Sequence, residues 1–247
     1  MSRRCCDEGH NNGEKTMADD ELQFTKVMVI AAHPDDPEFG CAGTIAKWAS
    51  EGKEIYYCLV TSGDVGTRDE NITPGKLAAL REKEQRAAAQ ELGVKDVIFL
   101  HHHDGMVVND MNLRRELALI LRRYQPEVVV TIDPWRHYQM HPDHRAAGQA
   151  ALDAIIAARE RLVFPEQLVE GIQPCRPKAA FLFWTENADY YVDVSETIDR
   201  RIAALKRHES QVGHRNDLEE RIRKAARETG EKAGMEYAEG FKKIVLG

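Results

Sequence analysis

The chain has 247 residues, a formal net charge of −7 and a pI near 5.8. That acidic balance argues against nucleic acid or an anionic membrane surface as the main partner. No apolar run approaches the roughly 18 residues a spanning helix needs, so a soluble protein without a membrane span is expected.

In chain order, residues 1–22 are polar and lack both periodicity and the apolar core of a secretory signal. A disordered leader and a cytoplasmic setting are the expectation, with Met17 as a second candidate start. Cys5 and Cys6 are adjacent in this leader, Cys41 and Cys58 lie in apolar surroundings, and Cys175 sits in a proline-containing stretch. No spacing reads as a disulfide framework or a four-cysteine zinc site. Beyond the leader, VMVIAAH (27–33), EIYYCLVT (54–61), DVIFLH (96–101) and EVVVTID (127–133) are short runs suited to strands buried on both faces.

Helical patterns fill the gaps between them. Gly43 to Ser50 follows a glycine-containing turn, and Lys76 to Leu92 stops at Gly93, a good residue for the left-handed position after a helix. Asn112 to Tyr124 puts Leu113, Leu117, Ile120 and Leu121 on one face, and Pro142 to Arg161 makes a further helix. Later come strands over 179–184 and 190–195 and helices over 197–209 and 217–231. The stretch 234–247 is read as completing the core. Alternation of this kind implies a single α/β domain over 23–247, a Rossmann-like three-layer sandwich with a mostly parallel central sheet.

In such a sheet, ligands bind beyond the carboxyl ends of the strands. The first strand ends in HPDD, delivering His33, Asp35 and Asp36; the fourth is followed by HPDH, His141 to His144. Pro142 suits the first turn of a helix, which places His141 at its N-cap and lets His141 and His144 share a face. Two or three imidazoles and at least one carboxylate then converge, the pattern of a catalytic zinc site, although nickel, cobalt or ferrous iron would accept the same donors. Taken singly, HPDD could be a turn in which Asp35 caps a helix, and HPDH a helix start with an exposed histidine. The pair on one sheet edge is the more specific signal.

The segments AHPDDPEFGCAGTIA, TSGDVGT, REKEQRAAAQELGV, FLHHHDG and HPDH, in this order, resemble the LmbE-like or PIG-L family of zinc-dependent de-N-acetylases; KRHESQ (206–211) is similar to a further family segment. The resemblance implies that His33, Asp36 and His144 hold Zn2+ and that Asp35 is the general base. It makes His141 a general acid or oxyanion stabiliser, with Asp143 orienting it. Asp35 would then accept a proton from water acidified by the cation. The oxyanion formed on the acetamide would be stabilised, and the leaving amine protonated by His141 or Asp35.

Arg81 and Glu84 read first as a solvated pair on a helix face; by the resemblance, Arg81 contacts substrate and Asp104 binds sugar hydroxyls. His101 to His103 cannot share one ion, because strand neighbours point to opposite faces. Asp64 and Arg68 belong to a glycine-containing loop that would be either a substrate lid or a mobile loop, and His208 either reaches the pocket or packs locally. The resulting expectation is a hydrolase that removes acetyl from a small N-acetylated amino sugar or its conjugate. Alternatives are a metal-assisted amidase or phosphoesterase on another substrate, an inactive metal scaffold, and a nucleotide-binding module suggested by Gly40 and Gly43. Family members form dimers, trimers or hexamers, so a homo-oligomer is also an open expectation.

Overall fold

Residues 22–247 are described by a computed structural model. The expected leader, apart from Leu22, and with it Cys5, Cys6 and Met17, lies outside the described residues. Five strands run parallel: β1 (Lys26–Ala31), β2 (Glu54–Thr61), β3 (Asp96–His102), β4 (Val128–Ile132) and β5 (Ala179–Phe183). Every residue of β4 and β5 is buried, which accounts for their largely apolar sequence, broken only by Thr131. Two further strands, β6 (Tyr190–Asp193) and β7 (Ala238–Val245), complete a seven-stranded sheet of order β3-β2-β1-β4-β5-β7-β6, in which β7 is antiparallel to both neighbours.

The helices are α1 (Asp36–Gly40), α2 (Ala42–Ser50), α3 (Pro74–Leu92), α4 (Met111–Tyr124), α5 (Pro142–Arg159), α6 (Ile198–Lys206), α7 (Glu209–Val212) and α8 (Leu218–Glu231). α4 packs on α5, while α2, α3 and α6 pack on one another, the two helical groups of a three-layer sandwich. Local chemistry sets their ends. α3 stops where Gly93 turns left-handed (φ 82°), and the Asp110 carboxylate accepts the backbone N–H groups of Asn112 and Leu113 at the start of α4, both at 2.9 Å. α5 starts at Pro142 with His141 as its N-cap. Its far end is closed by buried Arg122, whose guanidinium donates to the carbonyls of Ala157, Ala158 and Glu160.

Two segments differ from their sequence expectation, and a third meets its expectation in a form the sequence reading did not specify. The turn after β1 contains the short helix α1. The helix expected over 197–209 breaks into α6 and α7, because His208 leaves helical geometry (φ −83°, ψ 56°) and turns inward. Near the C-terminus, the stretch expected to complete the core does so as strand β7, inserted between β5 and β6 with Phe241 fully buried.

β7 also disposes of the nucleotide reading. The Glu239 carboxylate accepts the N–H groups of Gly43 (2.8 Å) and Thr44 (2.7 Å) at the start of α2 and pairs with Arg201 at 3.0 Å. The amides a phosphate would need are therefore already bound to an anion. Gly40 and Gly43 are required by packing instead: a Cβ on Gly40 would stand 2.3 Å from the Phe183 ring, and one on Gly43 2.8 Å from Val194.

The strand order reverses between β1 and β4, whose following segments part in opposite directions and leave a crevice above them. HPDD leaves β1 and HPDH follows β4 at that crevice.

Candidate metal centre

His33 is 6 % exposed, and both of its ring nitrogens face carboxylates. Nδ1 lies 3.3 Å from Asp36 Oδ2, while Nε2 lies 3.0 Å from Asp104 Oδ1 and 3.2 Å from Asp143 Oδ2. The other oxygen of Asp36 is 3.2 Å from His144 Nε2, so one carboxylate stands between two imidazoles that are far apart in the sequence. Asp36 is itself fixed by the His33 backbone N–H, which donates to Oδ2 at 2.9 Å. Because α5 opens at Pro142, His141 and His144 lie on one side of its first turn, and their rings stack at 4.6 Å. Nitrogen atoms of His33, His141 and His144 come within 4.8 Å of one another.

The electrostatics follow from that crowding. Burial alone would lower the His33 pKa, but the Asp36 charge and hydrogen bonds to Asp104, Asp143 and Asp36 push it up to about 12. Burial works to raise Asp36, yet the His33 charge and the hydrogen bonds from His144 and His33 hold it well below the usual carboxylate range. Asp104 and Asp143 are lowered too, against their burial, chiefly by the His33 hydrogen bond. Asp35 goes the other way: burial lifts it to about 6, opposed by Arg81 and assisted by Asp36. Burial lowers His141, and the His33 and His144 charges lower it further, with Asp143 and Asp104 opposing.

A divalent cation fits this donor set. Carboxylate oxygens only accept, so Nε2 of His33 carries hydrogen toward Asp104 and Asp143, and Nδ1, which faces Asp36, is the nitrogen that would exchange its proton for an ion, the arrangement that orients metal-ligating histidines. Three buried carboxylates crowd that single imidazole, a local excess of negative charge that a cation offsets. The Nδ1 atoms of His141 and His144 are buried with no hydrogen-bond partner.

The family model described as GlcNAc-PI de-N-acetylase (PIG-L) matches residues 28–155, about half of the chain, and takes in both motifs. The chain belongs to this family. Diacetylchitobiose deacetylase of Thermococcus kodakarensis is 33% identical over 221 residues, 88% of this chain and 82% of that protein. A protein named probable N-acetyl-alpha-D-glucosaminyl L-malate deacetylase 2, from Bacillus anthracis, is 27% identical over 75% of this chain and 80% of its own length. The solved structure of N,N'-diacetylchitobiose deacetylase from Pyrococcus horikoshii superposes with a TM-score of 0.85 at 34% identity, covering 90% of this chain and 85% of that one.

Against the roles implied by resemblance to the PIG-L family, the structure places some residues differently. Asp143 makes no hydrogen bond to His141. Its carboxylate accepts the N–H groups of Gly105 (2.6 Å) and Val107 (3.2 Å) and lies 3.2 Å from His33 Nε2. The reason is the loop after β3, which passes over the start of α5 and supplies those two amides. Arg81, expected at the substrate, is 4 % exposed and lies behind Asp35: it donates to the carbonyls of Pro34 (2.7 Å) and Gly63 (3.1 Å) and to Asp35 Oδ2 (3.3 Å). Neither Arg81 nor Glu84 is solvated, and they do not pair; Glu84 accepts from the Ser210 N–H and hydroxyl. Asp104 faces His33 through one oxygen and accepts the Val65 N–H through the other.

His101, His102 and His103 face Glu82, Glu116 and Asp64 respectively, so none joins the centre. Asp64 ties its loop to the Asp104 N–H at 3.0 Å, while Arg68 lines a separate cleft of about 620 Å³ with Arg215 and His214. His208 is fully buried against Glu38. Sequence reasoning passed over Glu38 and Gln85, which both support the HPDD turn. The available signal was helical spacing, since Gln85 lies four residues after Arg81 and thus on the same face of α3.

Proposed function

We propose that this chain is a cation-dependent hydrolase that removes acetyl from an N-acetylated amino sugar or its conjugate, releasing acetate and a free amine. The observation that carries this reading is the single Asp36 carboxylate within 3.3 Å of His33 and 3.2 Å of His144, with Asp35 adjacent to it. The relatives' activities on diacetylchitobiose and on a glucosaminyl malate support an amino-sugar substrate.

His33, Asp36 and His144 would hold the cation, with zinc suited to a two-histidine, one-carboxylate set and nickel, cobalt or ferrous iron compatible with it. Once bound, such an ion acidifies water and offsets charge on the carbonyl oxygen. Asp35 takes the proton as water adds to the amide carbon; burial raises its pKa above the usual carboxylate value and so strengthens it as a base. His141, whose pKa is lowered chiefly by burial and which is therefore favoured in its neutral form, donates an N–H to the developing oxyanion. The proton held by Asp35 then passes to the nitrogen as the C–N bond breaks, so acetate and amine leave in equal amounts. Asp104 and Asp143 hold Nε2 of His33, and Arg81 keeps Asp35 aimed at the crevice. Arg81 and Asp104 therefore act on substrate through the groups they hold.

We also place the enzyme in the cytoplasm, a reading supported by the buried, unpaired thiols of Cys41, Cys58 and Cys175. Homo-oligomer formation is supported by the exposed Met106, Val108, Trp135, Tyr138 and Met140 on the loops after β3 and β4. Among the described residues no helix is long and apolar enough to cross a membrane.

The test is incubation of zinc-loaded protein with N-acetylglucosamine, diacetylchitobiose and N-acetylglucosaminyl conjugates, with an assay for new primary amine. Amine release from at least one is the expected result. Phosphate release from phosphorylated members of the panel, with no amine from any, would transfer the assignment to a phosphoesterase.

A further inference from the structure

Asp35 sits in the left-handed region (φ 90°, ψ −24°), a conformation that costs a non-glycine residue on the order of 1–3 kcal/mol and persists only where the surroundings impose it. Beneath it runs a chain of three polar side chains, all 0 % exposed. The Asp35 backbone N–H donates to Gln85 Oε1 at 2.9 Å. Gln85 Nε2 donates to Glu38 Oε1 at 2.8 Å, and the other Glu38 oxygen lies 3.2 Å from His208 Nε2. Nothing in the proposed chemistry uses Gln85, Glu38 or His208, yet all three are desolvated beneath this left-handed turn, whose φ is the most positive among the non-glycine residues described.

We propose that Gln85, Glu38 and His208 form a positioning relay that locks the Asp35 turn in its left-handed conformation and thereby aims the Asp35 carboxylate. The argument is one of donors and acceptors. An amide side chain fits equally well in two orientations related by a flip, and only one of them presents oxygen to the Asp35 N–H. A carboxylate oxygen accepts and does not donate, so Glu38 forces the Gln85 NH2 toward itself and the Gln85 oxygen toward Asp35. His208 in turn fixes the Glu38 rotamer by donating from Nε2, and its departure from helical geometry between α6 and α7 is what lets it reach inward. Arg81 grips the same turn from the Pro34 carbonyl and the Asp35 carboxylate, but it touches neither the Asp35 N–H nor the flip of Gln85. Without the relay, the turn relaxes toward negative φ and the Asp35 side chain swings with it.

This inference rests on Asp35 being the base, and the experiment separates the two. Gln85→Met keeps chain length and helix propensity but removes both hydrogen bonds. In cation-loaded full-length enzyme it is expected to lower kcat on the order of 10- to 100-fold, as misplacement of a reacting group does. KM stays within about threefold and bound zinc remains stoichiometric, since the substitution displaces a base and not a binding group. Hydrogen exchange at the Asp35 amide is expected to be slow in the wild type and fast in Gln85→Met. His208→Gln, whose amide can still donate to Glu38, is expected to keep most of kcat, whereas His208→Leu is expected to behave like Gln85→Met.

A folded, zinc-bound Gln85→Met with kcat within threefold of wild type overturns the relay, as does a kcat loss that merely tracks the folded fraction. Should that variant not fold, a wild-type Asp35 amide exchanging as fast as an exposed loop amide overturns it equally. Full activity in Asp35→Asn would sink the assigned base and leave the exchange result standing.

Discussion

Replacing Arg81 by methionine removes a guanidinium while keeping most of the buried stem volume. Arg81 Nη2 lies 3.3 Å from Asp35 Oδ2, and Arg81 is 4 % exposed. Opposite charges at that distance attract by about 5 kcal/mol at an effective dielectric of roughly 20. Solvent at the partly open Asp35 carboxylate and the competing Asp36 charge reduce what is felt, and a neighbouring arginine typically lowers an aspartate by about 1–3 pKa units. Asp35, at about 6 with Arg81 opposing the rise, should therefore climb above 6 by that amount in the variant.

The acid limb of the kcat/KM profile reports the base in the free enzyme. It should move to higher pH by about one to three units while the alkaline plateau is partly recovered. Both proteins carry the cation in this assay, so its own effect on Asp35 cancels in the difference. The Pro34 and Gly63 carbonyls also lose their buried donor, at a cost of about 1–3 kcal/mol each. A carboxyl raised above its unfolded value favours the fold most when protonated. Both proteins therefore lose stability as pH rises from about 4, and the variant's deficit relative to wild type should grow only above about 6, levelling off above its own raised pKa. An acid limb within a few tenths of a unit of wild type, in Arg81→Met that retains zinc, would refute the reasoning.

Two other expectations are independent of that one. His33 in the cation-free protein holds its proton to about pH 12, and an ion at Nδ1 must displace it. Calorimetric titration in buffers of different ionisation enthalpy should show about one proton released, with affinity rising roughly tenfold per pH unit near neutrality; pH-independent binding would count against the site. Glu239→Ala leaves buried Arg201 unpaired and uncaps α2, so urea unfolding should show a loss of about 3–5 kcal/mol. An unchanged midpoint would mean that β7 does not hold the α2 end in place.

What could be read in the sequence was whatever short-range chemistry decides. Continuous apolar runs marked β1, β2 and β4 because both faces of those strands are covered, and Pro142 located the start of α5 and so the shared face of His141 and His144. β7 was not read as a strand because Glu239, Lys242 and Lys243 interrupt its pattern. Glu239 is buried only because the α2 terminus and Arg201 come from elsewhere in the chain to meet it. Arg81, Glu84 and Gln85 look like a solvated helix face until the HPDD turn and the segment carrying Ser210 are packed against it. The contacts of Asp143 were not legible for a similar reason. Its orientation is set by the amides of Gly105 and Val107, on a loop whose path depends on the whole sheet.

Anomalous diffraction from crystals soaked in zinc, combined with turnover of the same preparation, tests the centre most directly. The expected result is one strong peak in contact with His33 Nδ1, Asp36 and His144 Nε2, with His141 and Asp35 beside it but not ligating. Loss of that peak on chelation should abolish amine release, and Asp35→Asn should keep the peak and lose the activity. A peak ligated by His141 in place of Asp36 would contradict the proposed division of roles. Undiminished amine release from protein with no ion between the two loops would contradict the mechanism itself.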